Sequence, residues 1–369
     1  MPHVADRPAM HNIDADSHAT GALAHPGQLG VSEWDAYALV IDARSPHEFD
    51  DDHVPGAQNL PVVDDEQYAE VGTAHRTDPH AAYLAGVEYS LRNIARHIRT
   101  LITRFDPDSR MLVYCFRGGK RSKLWADNLR TIGYRVDVLE GGWKRYRLWV
   151  RDSLDALPAR LELKVLAGAT GCGKTRLLHA LQAAGEQVLD LEALASHRGS
   201  LIGAVPGKRQ PTQKLFDTHV LEALRRMDPR RPVWLEAESR KIGNLHLPAA
   251  LHEAMHRTIP VRLVAPMSER VKLWREDYAH FAQDPASMVR LLAPLKPLIG
   301  REELARWEAL AAAGDVDTLF ERVMTAHYDP CYDRSTKGSY DKLSEGAVID
   351  LPSLDAQALL QVARDLARR

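Results

Sequence analysis

Residues 113–122 read Val113-Tyr114-Cys115-Phe116-Arg117-Gly118-Gly119-Lys120-Arg121-Ser122, a single cysteine followed by paired glycines among cations. An apolar run precedes Cys115 and a helical pattern follows, so the thiol leaves a strand where the N–H groups of a helix start converge. There the helix dipole and the charges of Arg117, Lys120 and Arg121 favour thiolate over thiol. Gly118 and Gly119 let the backbone curl around an anion. These are the needs of a nucleophile that accepts a sulfur, selenium or phosphoryl group, with Cys115, Arg117 and Arg121 as its catalytic residues. A second stretch, Gly168-Ala169-Thr170-Gly171-Cys172-Gly173-Lys174-Thr175, fits G-x-x-x-x-G-K-T between an expected strand and an expected helix. Its N–H groups would ring phosphates, Lys174 adds a point charge, and the Thr175 hydroxyl is placed for Mg²⁺. Gly168, Thr170, Gly171, Cys172, Gly173, Lys174 and Thr175 are therefore the expected diphosphate site, with Cys172 a small filler. For the two sites to work, Cys115 must reach solvent and Lys174 must face an open cavity.

Other segments offer supporting groups. Val233-Trp234-Leu235-Glu236-Ala237-Glu238 is an apolar strand ending in carboxylates. Glu236 and Glu238 suit a catalytic role, orienting Mg²⁺ or water or acting as a base, and equally suit a solvated strand end. Asp190-Leu191-Glu192 is a weaker candidate of the same kind. From His197 to Phe216 the chain carries Arg198, Lys208, Arg209 and Lys214 with no acid between them. That pattern fits RNA contact or an ordinary solvated loop. The run His327-Tyr328-Asp329-Pro330-Cys331-Tyr332-Asp333 is either a base-stacking platform or a packed turn. No N-K-x-D guanine signature accompanies the glycine turn, which disfavours a GTPase switch.

Short apolar runs alternate with amphipathic helical segments, the pattern of an α/β protein with parallel sheets. Strands are expected at residues 38–42, 111–114, 135–139, 161–166, 187–189, 232–235, 261–264 and 347–349. Helices are expected near residues 89–102 and 174–184 and through 268–322, and residues 143–159 read as a helix followed by a linker. The 369 residues divide into a polar leader over 1–30, one domain over 31–150 and a second over 160–369. The 48 basic and 50 acidic residues leave a net charge of −2, which excludes a polybasic protein but not a local anion-binding patch. No apolar stretch approaches the ~20 residues of a membrane helix. The start of the chain lacks a secretory signal, and its three cysteines form no CxxC pair. A cytoplasmic protein with free thiols is expected.

Residues 31–150 resemble the rhodanese (sulfurtransferase) family. The likeness rests on Ile41-Asp42-Ala43-Arg44-Ser45-Pro46, His53-Val54-Pro55-Gly56-Ala57, the cysteine loop and Glu140-Gly141-Gly142-Trp143, in that order. It implies that Cys115 carries a persulfide; Asp42 and Arg44 read as a pair that pins loops. The loop is one residue longer than the common rhodanese ring. Its C-x5-R-S spacing also resembles cysteine-dependent phosphatases, although Tyr114 stands where their histidine would be. A wider ring suits a tetrahedral oxyanion, hence a phosphate-bearing chalcogen donor.

With Asp190-Leu191-Glu192, His197-Arg198-Gly199-Ser200, Glu236-Ala237-Glu238-Ser239 and His327-Tyr328-Asp329-Pro330 added, the chain after residue 30 resembles the tRNA 2-selenouridine synthase family. That resemblance implies a transferase that converts wobble 2-thiouridine in tRNA to 2-selenouridine. Geranyl diphosphate first alkylates the sulfur, and selenophosphate then supplies selenium. The glycine turn would hold geranyl diphosphate rather than ATP, with Mg²⁺ as cofactor. Cys115 would attack selenophosphate or carry a perselenide, with Arg117 and Arg121 balancing the anion. Leu177, Leu178 and the helices between residues 270 and 325 are candidates for the wall of a geranyl groove. The rival readings are an ATP-dependent tRNA sulfurtransferase, a cysteine-dependent phosphatase and a non-enzymatic nucleotide-gated binding module.

Overall fold

A computed structural model describes residues 26–339 and 345–368; most of the leader expected over residues 1–30 lies outside them. Among the described residues the strands form two parallel sheets and one small hairpin. The first sheet has the order β2-β1-β3-β4, built from β1 (Leu39–Asp42), β2 (Ala57–Asn59), β3 (Arg110–Tyr114) and β4 (Arg135–Val138). β1 and the last four residues of β3 are buried on both faces, as continuous apolar runs require of a covered parallel sheet. β2 was not anticipated. Its three residues, Ala57-Gln58-Asn59, carry no apolar periodicity. The Asn59 amide holds its end in place by donating to the carbonyls of Arg44 (2.9 Å) and Asp42 (3.3 Å). Helix Pro79–Thr100 begins ten residues before the expected start at 89, with Asp78 accepting from the N–H groups of His80 and Ala81.

The second sheet has the order β11-β10-β5-β7-β6. Its strands are β5 (Leu163–Ala167), β6 (Gln187–Leu189), β7 (Val233–Glu236), β10 (Val261–Val264) and β11 (Val348–Asp350). The hairpin of β8 (Lys241–Ile242) and β9 (Leu245–His246) follows β7. β5 is central, so the turn after it opens at the carboxyl edge beside the ends of β7 and β6, where open α/β sheets place ligands. Helices run almost unbroken from Met267 to Val323. None of the described helices is long and apolar enough to cross a membrane.

The segment expected to end in a linker is helix Gly142–Ala156, followed by a 3-10 turn at Pro158–Arg160 in which Leu157 and Pro158 are buried. This helix belongs to both halves. Trp34, Tyr146, Trp149, Val150 and Leu154 share one apolar cluster with Phe216, Val220, Leu221 and Leu224 of helix Gln213–Arg225. Polar contacts lock the same junction. Buried Asp52 accepts from Thr218 (2.7 Å) and from the Trp143 indole N–H (2.8 Å), and Arg225 pairs with Glu33 (2.7 Å).

Candidate active sites

The first site is the turn between β3 and helix Lys120–Thr131. Cys115 is the residue after β3, and its Sγ lies 3.3 Å from the Ser122 hydroxyl. Burial raises its pKa; the Ser122 hydroxyl and N–H, the Arg117 N–H and the Arg121 charge together outweigh it, and the thiol titrates below its ordinary value. Arg121 is itself fixed by Glu48, at 2.7 Å. Glu48 is set by a capping box in which its carboxylate accepts from the N–H of Ser45 (3.1 Å). That pairing was not anticipated, although S-x-x-E at Ser45–Glu48 is a readable signal for it. Arg117 contributes its N–H, while its exposed guanidinium lies over Phe116 and borders a shallow groove with Lys144 and Arg145. Asp42 and Arg44 form a buried ion pair (2.6 Å), and Arg44 also donates to the Asp52 carbonyl, so this pair does pin loops.

Cys115 is only 3 % exposed, against the expectation of an accessible thiol. It packs in the apolar cluster of the first sheet with Ile41, Ala43, Val113 and Trp125, and the start of helix Gly142–Ala156 fixes the backbone that follows it. The N–H groups of Trp143 and Lys144 donate to the carbonyls of Cys115 (2.8 Å) and Phe116 (3.0 Å), closing the loop against the helix.

The second site is the turn between β5 and helix Lys174–Ala183. Gly173 has φ +83°, and a Cβ there would stand 2.7 Å from Leu354, so glycine is required. Cys172 is buried and its thiol is pushed up by burial, which suits a filler rather than a nucleophile. Lys174 lines an open cavity of ≈ 560 Å³ with Thr170, Thr175, Glu192, Glu236 and Glu238. Its Nζ donates to the carbonyls of Gly168 (2.9 Å) and Ala169 (3.4 Å). Burial would lower the lysine's pKa, but the facing Cys172, Tyr332 and carboxylate groups raise it, so it is fully charged.

Glu192, Glu236 and Glu238 converge so closely that one ligand atom from each lies within 4.8 Å of the others. Burial and mutual repulsion push Glu192 up to about 10 and Glu238 up to about 8, and burial raises Glu236. Glu236 Oε1 is buried without a hydrogen-bond partner, and its carboxylate meets the Thr175 hydroxyl. A hard divalent cation would satisfy that orphaned oxygen and cancel the repulsion, so the donor set fits Mg²⁺. The structure thus brings Glu192, the weaker of the sequence candidates, to the centre. Asp190 instead caps helix Leu191–Ala195 and meets His179 at 2.6 Å. Gly199 (φ +69°) lies between the carboxylates; a Cβ there would stand 3.1 Å from both Glu192 and Glu238.

Arg270 was not anticipated. It donates to the Thr170 carbonyl (2.9 and 2.7 Å) and pairs with Asp329 (2.6 Å), bracing the turn. The aromatic run at 327–333 braces it too. A π-helical turn at Met324–Tyr328 buries His327 and Tyr328, and the Gly168 N–H donates to the Tyr332 hydroxyl. The run is thus packed against the glycine turn, and Tyr328 and Tyr332 also line the open cavity.

The basic residues separate. Arg198 donates to the Asp277 carbonyl, lies 4.9 Å from the Tyr278 ring centre and lines the cavity. Lys208 and Arg209 are exposed. Lys214 pairs with Asp51 at 2.5 Å across the junction. Leu177 and Leu178 are fully buried in the core, so neither lines an open groove.

Comparison with known proteins agrees with this layout. Residues 161–290 match the tRNA 2-selenouridine synthase AAA domain, and residues 30–148 match the rhodanese-like domain. A tRNA 2-selenouridine synthase of Nitrosomonas europaea is 34 % identical over 279 residues, spanning 73 % of this chain and 71 % of its own. One of Cronobacter sakazakii is 34 % identical over 290 residues, 74 % of this chain and 72 % of its own. One of Aeromonas salmonicida is 36 % identical over 252 residues, 65 % of each chain. With a rhodanese-like domain and a tRNA 2-selenouridine synthase AAA domain in one chain, and relatives 34 % identical over more than two thirds of each sequence, this protein belongs to the tRNA 2-selenouridine synthase family.

Proposed function

We propose that this protein is a cytoplasmic transferase that replaces the sulfur of wobble 2-thiouridine in tRNA by selenium in two steps. The observation that carries the first step is the shared cavity of Lys174, Thr175 and the three glutamates. Residues 168–175 hold the diphosphate of geranyl diphosphate, and its chain lies against Leu273, Trp274 and Tyr278 on the same cavity wall. Mg²⁺, held by Thr175, Glu236, Glu238 and Glu192, would neutralise the diphosphate. The thiocarbonyl sulfur attacks the allylic carbon, the C–O bond breaks, and the charge that develops on the departing diphosphate is met by Lys174 and the N–H groups of the turn. The N3 proton of the base is lost as the S-alkyl isothiourea forms.

In the second step the Cys115 loop takes selenophosphate, its oxygens facing the ring of N–H groups and Arg121. The thiolate attacks phosphorus, the P–Se bond breaks, and hydrogen selenide anion leaves; water then hydrolyses the phosphocysteine. The selenide adds at C2 of the alkylated base and expels geranylthiolate, and N3 regains its proton. A thioether leaves more readily than a bare thiocarbonyl, which is the reason to alkylate first.

The test is mass spectrometry of wobble nucleosides after incubation of the protein with thiolated tRNA and geranyl diphosphate, with and without selenophosphate. Lys174→Ala is expected to abolish the S-geranyl product. Its persistence would remove the diphosphate assignment, and ATP turnover dependent on Lys174 would favour an ATP-driven sulfurtransferase instead.

A further inference from the structure

A second cavity, ≈ 550 Å³, lies in the rhodanese-like half between helices Asp65–Ala74 and Pro79–Thr100 and the start of helix Lys120–Thr131. Its walls are apolar, formed by Val71, Ala82, Tyr83 and Val87 with two glycines, Gly72 and Gly86. Tyr83 is 49 % and Val87 37 % exposed, an unusual outlay of apolar surface for a helix with solvent on that side. Both glycines are helical, where glycine costs about 0.5–1 kcal/mol relative to alanine. Neither is required by backbone or crowding. A Cβ on Gly72 meets nothing within 4 Å, and one on Gly86 meets only Val71 at ordinary contact distance, 3.6 Å. Their effect is to keep the groove open.

The start of helix Lys120–Thr131 gives the groove a net cationic border. Lys120, Arg121 (paired with Glu48) and Lys123 line it with one acid, Asp127, and the Lys120 ammonium lies 4.2 Å from the Tyr83 ring centre. Arg121 also acts on Cys115, so groove and thiol loop share a residue. An apolar trough bordered by cations, one of which also acts on the Cys115 thiol, is complementary to an aliphatic chain attached to an anionic, reactive head.

Resting on the two-step reading above, we propose that this groove binds the S-geranyl chain of the alkylated tRNA nucleotide and so presents its C2 to the Cys115 loop. The alkyl group is then a handle as well as a leaving group. It distinguishes alkylated from unalkylated uridine at the selenium site, and selenide is delivered only where it can displace a thiolate. Burial of a ten-carbon chain supplies the binding, since each sequestered methylene strengthens association. The phosphates flanking the base meet Lys120 and Lys123.

The experiment uses the full chain and anticodon stem-loop RNAs that carry S-geranyl-, S-methyl- or unalkylated 2-thiouridine, with binding read by fluorescence anisotropy. The wild-type protein is expected to bind the geranylated RNA at least tenfold more tightly than the S-methyl RNA. Gly72→Leu and, independently, Gly86→Leu fill the trough while favouring helix, and are expected to erase that preference. In the complete reaction both variants should still form S-geranyl RNA, accumulate it, and lose most selenation. Equal binding of the three RNAs by the wild type, or leucine variants that keep both the preference and selenation, overturns the groove assignment. If the wild type forms no S-geranyl product from geranyl diphosphate, the two-step reading fails first; the synthetic RNAs still decide whether the groove recognises the chain.

Discussion

Cys115 sits where burial and hydrogen bonding oppose each other, and the hydrogen bonds win. Because the thiol titrates below its ordinary value, the thiolate is lost only as pH falls through that lowered value. Selenation is therefore expected to reach its alkaline plateau below the ~8.5 of a free cysteine. Ser122→Ala removes a donor to Sγ and should move the acid limb to higher pH while rates converge at high pH. A limb that stays in place would exclude the Ser122 contact. Cys115→Ala should leave geranylation intact and stop selenation.

The glutamate trio makes the opposite linkage. Glu192 and Glu238 are raised to about 10 and about 8, so the metal-free folded state holds protons that the unfolded chain releases above about 4.3. Stability must then fall as pH rises from there through both values. Glu192→Gln is expected to flatten that fall, so its melting temperature, measured without divalent cations from pH 5 to 9, should overtake the wild type by a few degrees at the alkaline end.

At the scale of elements, helix Gly142–Ala156 does most to shape the thiol loop. It enters through two left-handed glycines, Gly141 (φ +72°) and Gly142 (φ +55°), and its first N–H groups seize the carbonyls of the thiol loop. A Cβ on Gly142 would overlap the Cys115 carbonyl and stand 2.5 Å from the Gly118 nitrogen. Both obstacles are backbone and neither can swing aside. Gly142→Ala should cost about 2–3 kcal/mol from strain and overlap together, and should lower selenation far more than geranylation. Comparable loss of both activities in folded protein would show that the helix start does not act through the loop.

For the molecule as a whole, the apolar cluster that runs from Trp34 through helix Gly142–Ala156 to Leu224 makes the halves one cooperative body. Asp52 is its polar centre. Burial raises its pKa against the pull of Thr218, Arg147 and Trp143. Removing the buried carboxylate leaves the Thr218 hydroxyl and Trp143 N–H unsatisfied, at about 1–3 kcal/mol each, while Arg147 keeps Asp217. Wild-type protein should unfold in one urea transition, and Asp52→Ala should separate it into two. A single, unshifted transition in the variant would mean that Asp52 does not hold the halves together.

Both glycine turns, their flanking strands and the α/β class were legible in the residues, because a glycine turn between an apolar strand and a helix is a local pattern with a local physical cause. Gly173 needs its positive φ and Cys115 its place after β3 whatever packs around them. The convergence of Glu192 with Glu236 and Glu238 was not legible. β6 ends at Leu189 and β7 begins 44 residues later at Val233, and only strand pairing of Leu189 with Leu235 brings their ends together. The same holds for Arg270 on Thr170, for the burial of Cys115 and for the groove that Gly72 and Gly86 line. Chain chemistry settles which groups are able to react. Their protonation, their access to solvent and the company they keep are set by burial and by charges from distant segments, and those arise only when the sheets and the shared helix are assembled.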